Sequence, residues 1–259
     1  MTNDPFFARD GARFIPNAVC RGPWDPKSLH GRVVIGLLGA EIERLHGAAE
    51  YMPARLTVDM YRLPDFSPVE VTTRVVRDGR RIKVIDAEFF SAGRSMARAT
   101  CQLLLKTKNP EGRIWTPPAW DVPAPDTLPP PEPRGGLGGM WEMRPIVGAM
   151  GTLGARRVWM REVRALVDGM TLTPFARVAL GCDFASPFAN AGDQGLDYIN
   201  SDVTLYLHRP PVTEWVGYEV TNHGATDGVA IGECFVHDEA GPIGAASVTA
   251  LAQNKLMPT

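Results

Sequence analysis

The 259-residue sequence predicts an α+β chain of two similar halves, each an antiparallel sheet wrapped around a single helix. Three observations carry this. Nine of the 23 prolines fall between Pro110 and Pro133, followed by Gly135, Gly136, Gly138 and Gly139, so a spacer divides the chain. An offset of 147 lays Leu56–Leu105 on Val203–Ala252 without a gap, with identities such as Thr57 and Thr204, Arg62 and Arg209, and Pro64 and Pro211. The same order of patterns, strand then helix then four strands, occurs on both sides. The expected division is 1–106, a linker at 107–139, and 140–259.

In the first half a short apolar segment, Arg13–Val19, precedes a helical segment near Ser28–Glu50. Ser28 suits a helix N-cap, and Val33, Val34, Leu37, Leu38, Ile42 and Leu45 recur at helical spacing. Gly36 and Gly39 weaken that helix, which is explained if they let a sheet pack unusually close. Four strand patterns follow, Arg55–Leu63, Val69–Arg77, Arg81–Phe90 and Ser95–Leu105, punctuated by Pro68 and Asp78-Gly79. The second half offers a strand at Ala155–Leu166, a helix capped by Thr173 with Pro174 at its first position, and strands at Asp202–His208, Glu214–Asn222, Gly228–His237 and Ile243–Ala252. Consecutive strands joined by tight turns make an antiparallel sheet, and a lone helix must bury its apolar stripe on it. Sheet wrapped on helix is the hot-dog arrangement, here a double hot-dog.

Composition excludes several classes of function. With 27 basic and 29 acidic residues the chain has no positive field to drive nucleic-acid binding. Cys20, Cys101, Cys182 and Cys234 form no Cys-x-x-Cys pair, against a zinc site or a disulfide framework and in favour of a reducing cytoplasm. No apolar run approaches the roughly 18 residues of a membrane span, and the acidic, proline-interrupted N-terminus does not read as a signal peptide.

The stretches LGCDFASPF, YINSDVTLYLHRPPVTEWVGYEV and HDEAGPIGAAS in the second half, with HGRVVIGLLGAEIE, RLTVDMYRLP and AGRSMARATCQLLL in the first, resemble the type II acyl-CoA thioesterases, a double hot-dog family. The resemblance implies hydrolysis of a fatty acyl-CoA to free acid and CoA, without metal or organic cofactor. It implies that an Asp, here Asp183, activates a water held by two strand residues, here Asn200 and Thr249, the last standing where other members carry Gln. Gln102 is the counterpart of Thr249 at the 147 offset, and His30-Gly31 resembles the helix start of thioesterase halves; both are expected on the substrate-binding side.

Read from the residues alone, Asp183 shares a helix face with Ala176, Ala179 and Leu180 near a helix C-terminus. Burial and the helix dipole would both raise its pKa and make it a better general base; equally, it caps a turn past the helix end. Arg209 and His208 suit CoA phosphates, and Arg209 equally suits ordering the double-proline bend. Arg80, Arg81 and Lys83 form a small basic cluster, and Met140, Met143, Met150, Met160 and Met170 suit either an acyl pocket or core filling. Two other functions stay open. Asp25 and His30 have the spacing of a hot-dog enoyl-CoA hydratase, without its intervening Asn-Pro, and a chain weakened by Thr249 would be a non-catalytic acyl-CoA binder. Self-association through an exposed edge or face is the other expected interaction.

Overall fold

The computed structural model describes residues 4–118, 120–130 and 139–253. The first half contains β1 (Phe7–Asp10), β2 (Arg13–Pro16), α1 (Gly31–His46), β3 (Tyr51–Met60), β4 (Val69–Asp78), β5 (Ile82–Ser91) and β6 (Arg94–Leu105). The second contains β7 (Trp141–Val147), β8 (Arg157–Glu162), α2 (Pro174–Gly181), α3 (Ala185–Asn190), β9 (Tyr198–Asn200), β10 (Asp202–Leu207), β11 (Trp215–Thr226), β12 (Val229–Asp238) and β13 (Gly241–Ala252). A 3-10 turn, Cys182–Phe184, joins α2 to α3.

The strands form one antiparallel sheet in the order β1-β2-β4-β5-β6-β3-β10-β13-β12-β11-β8-β7, with the short β9 paired to β13. This corrects the expectation of two sheets. Each half would leave an edge strand unpaired, and the two edges, β3 and β10, satisfy each other's backbone groups instead. Their register runs from Asp59 opposite Asp202 to Arg55 opposite Tyr206, with Thr57 facing Thr204. A pseudo-twofold axis therefore passes between Thr57 and Thr204, whose hydroxyls lie 3.2 Å apart. The axis coincides with the repeat offset of the sequence, because only at the axis does a residue meet its own counterpart.

Residue type dictates why α1 is central. Val33, Ile35, Leu37, Leu38 and Ile42 are all fully buried, and burial continues around the helix from Arg32 to Ile42. A helix apolar on every side must be enclosed by protein. His30, rather than Ser28, is its N-cap. Gly36 and Gly39 prove to admit the other helix more than the sheet. A Cβ at Gly36 would lie 2.6 Å from Leu180 Cδ1, and one at Gly39 3.0 Å from Ala179 Cβ and 3.3 Å from Leu56 Cδ2 on β3. The helices α1 and α2 thus lie antiparallel in close contact, with Gly31 near Asp183 at one end and Glu43 bonded to Thr173 at the other.

The tight hairpins are made where the left-handed backbone is available. Ala92-Gly93 joins β5 to β6 and Asp227-Gly228 joins β11 to β12, all four residues at φ between 50° and 77°. The proline-rich segment is more than a spacer. Trp120 covers Gly217, where a Cβ would come within 2.3 Å of its ring, and packs against Trp159 and His237 at centroid distances of 4.7 and 4.1 Å. Trp159 Nε1 donates to Pro123 O at 3.0 Å. The expected Gly135, Gly136 and Gly138 of the spacer lie outside the described residues.

Candidate active site

At the N-terminal end of α1 a cleft of about 270 Å³ lies between the two halves, lined by His30, Asp183 and Asn200, with Trp24, Met60, Tyr61, Arg62 and Gln253 among its other walls. Each polar group arrives by a different route. His30 is the N-cap of α1, so its ring stands at the helix mouth. Asp183 sits in the 3-10 turn that breaks the second helix, which turns its carboxylate inward, 4% exposed. Asn200 ends β9, held on β13 opposite Ala250.

The three meet. Asn200 Nδ2 donates to Asp183 Oδ1 at 3.0 Å, and His30 Nδ1 lies 3.2 Å from Asp183 Oδ2. The backbone N–H of Arg32 also approaches His30 Nδ1, at 3.3 Å. One nitrogen cannot both donate and accept. Against a buried carboxylate a bare Nδ1 lone pair would be repelled, so the proton belongs on Nδ1 and Nε2 is the basic nitrogen. The Arg32 N–H stays directed at the His30 ring as the cap contact of α1, while the Gly31 N–H belongs to the first turn, whose N–H groups have no partner within the helix.

The electrostatics correct the expected raised pKa. Burial does push the Asp183 carboxyl up, but the hydrogen bond and charge of His30, the Asn200 hydrogen bond and the charge of Arg32 outweigh it, leaving Asp183 below the ordinary carboxylate range. Arg32 is itself buried, paired with Glu162 and covered by Trp141, its guanidinium 4.3 Å from the ring. Burial raises the Glu162 carboxyl, and the Arg32 charge opposes this.

Other expected residues lie elsewhere. Thr249 is exposed on the outer face of β13 and bonded to Asp202, whose Oδ1 also accepts its N–H at 2.6 Å; strand alternation points its neighbour Ala250 inward instead. Gln102 likewise faces outward, between the inward Cys101 and Leu103. Arg209 forks onto Asp238 at 2.5 and 2.7 Å, and the same carboxylate accepts from Val212 N and Ala240 N, so this arginine orders the bend. His208 is exposed and bonded to Pro242 O at 3.0 Å. Asp25 accepts from Lys27 N in its own turn, and the carboxylate beside His30 is Asp183. Of the five clustered methionines none lines this cleft; Met140 and Met160 fill the core. Lys83 pairs with Asp78 at 3.2 Å. Sequence reasoning missed Trp24, Met60, Tyr61 and Gln253, which carry no local signal, and passed over Arg62, the repeat of Arg209 that does reach the cleft mouth.

All four cysteines are buried and free, and burial pushes the thiols of Cys20 and Cys101 up to about 12. A cysteine nucleophile therefore has no support. Among the described residues no cluster of His, Cys, Asp or Glu is arranged to hold a metal ion, and no helix is long and apolar enough to cross a membrane.

A sheet enclosing antiparallel central helices, with a polar trio at their junction, is the hot-dog arrangement. The sequence model of the acyl-CoA thioesterase C-terminal domain matches residues 118–251, and that of the N-terminal domain matches residues 20–104. The chain belongs to this acyl-CoA thioesterase family. Among solved structures it is similar to a tesB protein of Mycobacterium avium subs paratuberculosis, with a TM-score of 0.72 and 16% identity over 96% of each chain. It is also similar to a hot dog fold protein of unknown function from Alicyclobacillus acidocaldarius (TM-score 0.75, 17% identity, covering 98% of this chain and 96% of that one). A third is the acyl-CoA thioesterase II TesB2 of Mycobacterium marinum (0.65, 17%, 86% and 90%). At these identities the likeness shows the fold. No curated protein sequence matches the chain.

Proposed function

We propose that the protein hydrolyses acyl-CoA thioesters, with Asp183 and His30 acting as a pair on the attacking water. The observation that carries this is the contact of His30 Nδ1 with the ionised, buried Asp183, a carboxylate orienting an imidazole as general bases require. Nε2 takes a proton from water as its oxygen bonds to the thioester carbon. Asp183 stabilises the imidazolium so formed, and Asn200 fixes the carboxylate. The developing oxyanion is received at the N-terminal end of α1, where the Gly31 N–H is the donor beside the pair. Collapse breaks the C–S bond and expels the CoA thiolate, a leaving group good enough to need no strong acid, and the imidazolium Nε2 proton passes to that thiolate, returning His30 to its neutral form. The acyl chain lies along Val34, Met60 and Ala97 in the cleft, and Arg62 at its mouth faces the CoA phosphates.

This reading keeps the expected Asp183 and Asn200, moves His30 from substrate binding to proton transfer, and leaves out Thr249. The hydratase alternative through Asp25 is the less favoured reading, because Asp25 accepts from Lys27 N in its own turn and is not among the residues lining the cleft with His30. The test is thiol release from a series of acyl-CoAs, followed in parallel with loss of absorbance from trans-2-enoyl-CoA. Thiol release abolished in Asp183→Asn and His30→Gln supports the proposal; enoyl loss without thiol release overturns it.

A further inference from the structure

A second cleft, of about 600 Å³ and so larger than the first, lies at the opposite end of the helix pair from Asp183. The pseudo-twofold axis relates the two clefts residue by residue. At the 147 offset, four residues lining the Asp183 cleft, Leu63, Ile199, Asn200 and Gln253, fall on four lining the larger one, Pro210, Met52, Pro53 and Lys106. The helices correspond as well, through their N-caps His30 and Thr173. Ala40 stands as far beyond His30 as Asp183 stands beyond Thr173, and Ala40 lines the larger cleft.

The substitutions at these related positions remove one set of properties and supply another. Ala40 replaces the carboxylate and Pro53 the amide, so no oriented base remains. The carboxylate in its lining, Glu43, is one turn further along α1 and is occupied by the hydroxyl of Thr173, and the buried Glu41 is taken by Arg44. Burial moves the Glu43 carboxyl upward, towards its neutral form. What the cleft retains is an apolar floor, with Met52, Leu103 and Phe175 buried, and what it gains is Lys106 in place of Gln253; Arg44, also in its lining, is paired with Glu41 at 2.7 and 2.8 Å. An apolar trough rimmed by the Lys106 ammonium, with the Arg44 guanidinium already forked onto the buried Glu41, fits an aliphatic chain that ends in an anionic head. We infer that this cleft is a second, non-hydrolytic ligand site for an acyl chain with an anionic head, which in this chain means acyl-CoA or the fatty acid released from it. The choice of acyl-CoA rests on the proposed thioesterase activity; the cleft and its charge do not.

The experiment is a titration, by calorimetry, of the whole protein with two probes: a non-hydrolysable thioether analogue of a long-chain acyl-CoA, and the corresponding fatty acid. Thiol release from the true thioester is measured separately on the same preparations. Two variants act on the larger cleft alone: Ala48→Trp, which fills it from an exposed lining position, and Lys106→Glu, which reverses the rim charge. The expected result is two equivalents of at least one probe per chain. Ala48→Trp removes one equivalent, and Lys106→Glu weakens it by about tenfold or more, while thiol release is unchanged. The probe that shows the second equivalent identifies the ligand. A single equivalent of each probe that survives in Ala48→Trp overturns the inference and leaves the thioesterase reading standing. Two equivalents without any thiol release overturn that reading and leave the second site standing.

Discussion

His30 Nδ1 lies 3.2 Å from Asp183 Oδ2, although one residue caps the helix of the first half and the other turns out of the helix of the second. Neither half holds the pair alone. The antiparallel contact of α1 with α2, closed by Gly36 and Gly39, brings them together, so the packing of the halves and the chemistry of the cleft are one matter.

If the two act as a unit, their substitutions are not additive. His30→Gln and Asp183→Asn each lower kcat for thiol release by about 10²–10⁴-fold, and the double variant falls no further than the worse single one. Steady-state kinetics on the three variants checks this. Multiplicative losses in the double variant mean the residues act separately.

Thr249 supplies the opposite expectation. Its hydroxyl is bound to Asp202 on the outer face, so Thr249→Val changes kcat by less than about twofold. A loss comparable to that of His30→Gln places Thr249 in the reaction.

The helix contact has a stability signature. A methyl at Gly36 meets Leu180 Cδ1 at 2.6 Å in a fully buried position, so Gly36→Ala destabilises by about 1–3 kcal/mol despite improving helix propensity. Urea unfolding measures it, and a stabilised variant shows that the helices are not in close contact.

Much of this architecture was legible in the sequence. The 147 offset located the pseudo-twofold axis through Thr57 and Thr204, and period-2 patterns located β3 to β6 and β10 to β13. Asp183 and Asn200 were reached through the family resemblance, and His30 was noticed as a substrate-side residue, without its contact to Asp183. What stayed hidden depends on long-range pairing. Fusion into one sheet rests on the pairing of β3 with β10, and no local pattern encodes which edge meets which. The side of β13 that faces the cleft turns on a one-residue register, so Thr249 and Ala250 are indistinguishable until β9 fixes Asn200 opposite Ala250. The pKa of Asp183 was misjudged because its partner His30 lies in the other half of the chain. Trp120 on Gly217 gives no signal within a proline-rich run.

Beside the cleft, the buried Arg32–Glu162 pair ties α1 to β8. Arg32→Met alone leaves the Glu162 charge buried without a partner and costs about 3–5 kcal/mol, whereas Arg32→Met with Glu162→Leu recovers most of that loss. Chemical denaturation of the single and double variants decides it; equal destabilisation in both contradicts the pairing.

A pH response follows from His237, buried under Trp120 with Nε2 3.6 Å from Glu219 Oε2. Burial and then the Arg157 charge lower its pKa to about 4, against the opposing charge of Asp238. Between that value and the ordinary 6.5 the unfolded chain binds the proton and the folded one does not. Stability is therefore full above pH 6.5 and falls as pH drops towards 4, by on the order of 3 kcal/mol from this group. His237→Phe flattens the Tm profile across that window; an unchanged slope assigns the loss to other groups.

The central claim, water activation by Asp183 through His30, is tested most directly by following free thiol from a long-chain acyl-CoA with the wild-type protein and with Asp183→Asn, both shown folded by circular dichroism. The expected result is saturable thiol release by the wild type and a loss of about 10²-fold or more in the variant. Thiol release at the same rate in Asp183→Asn contradicts the account.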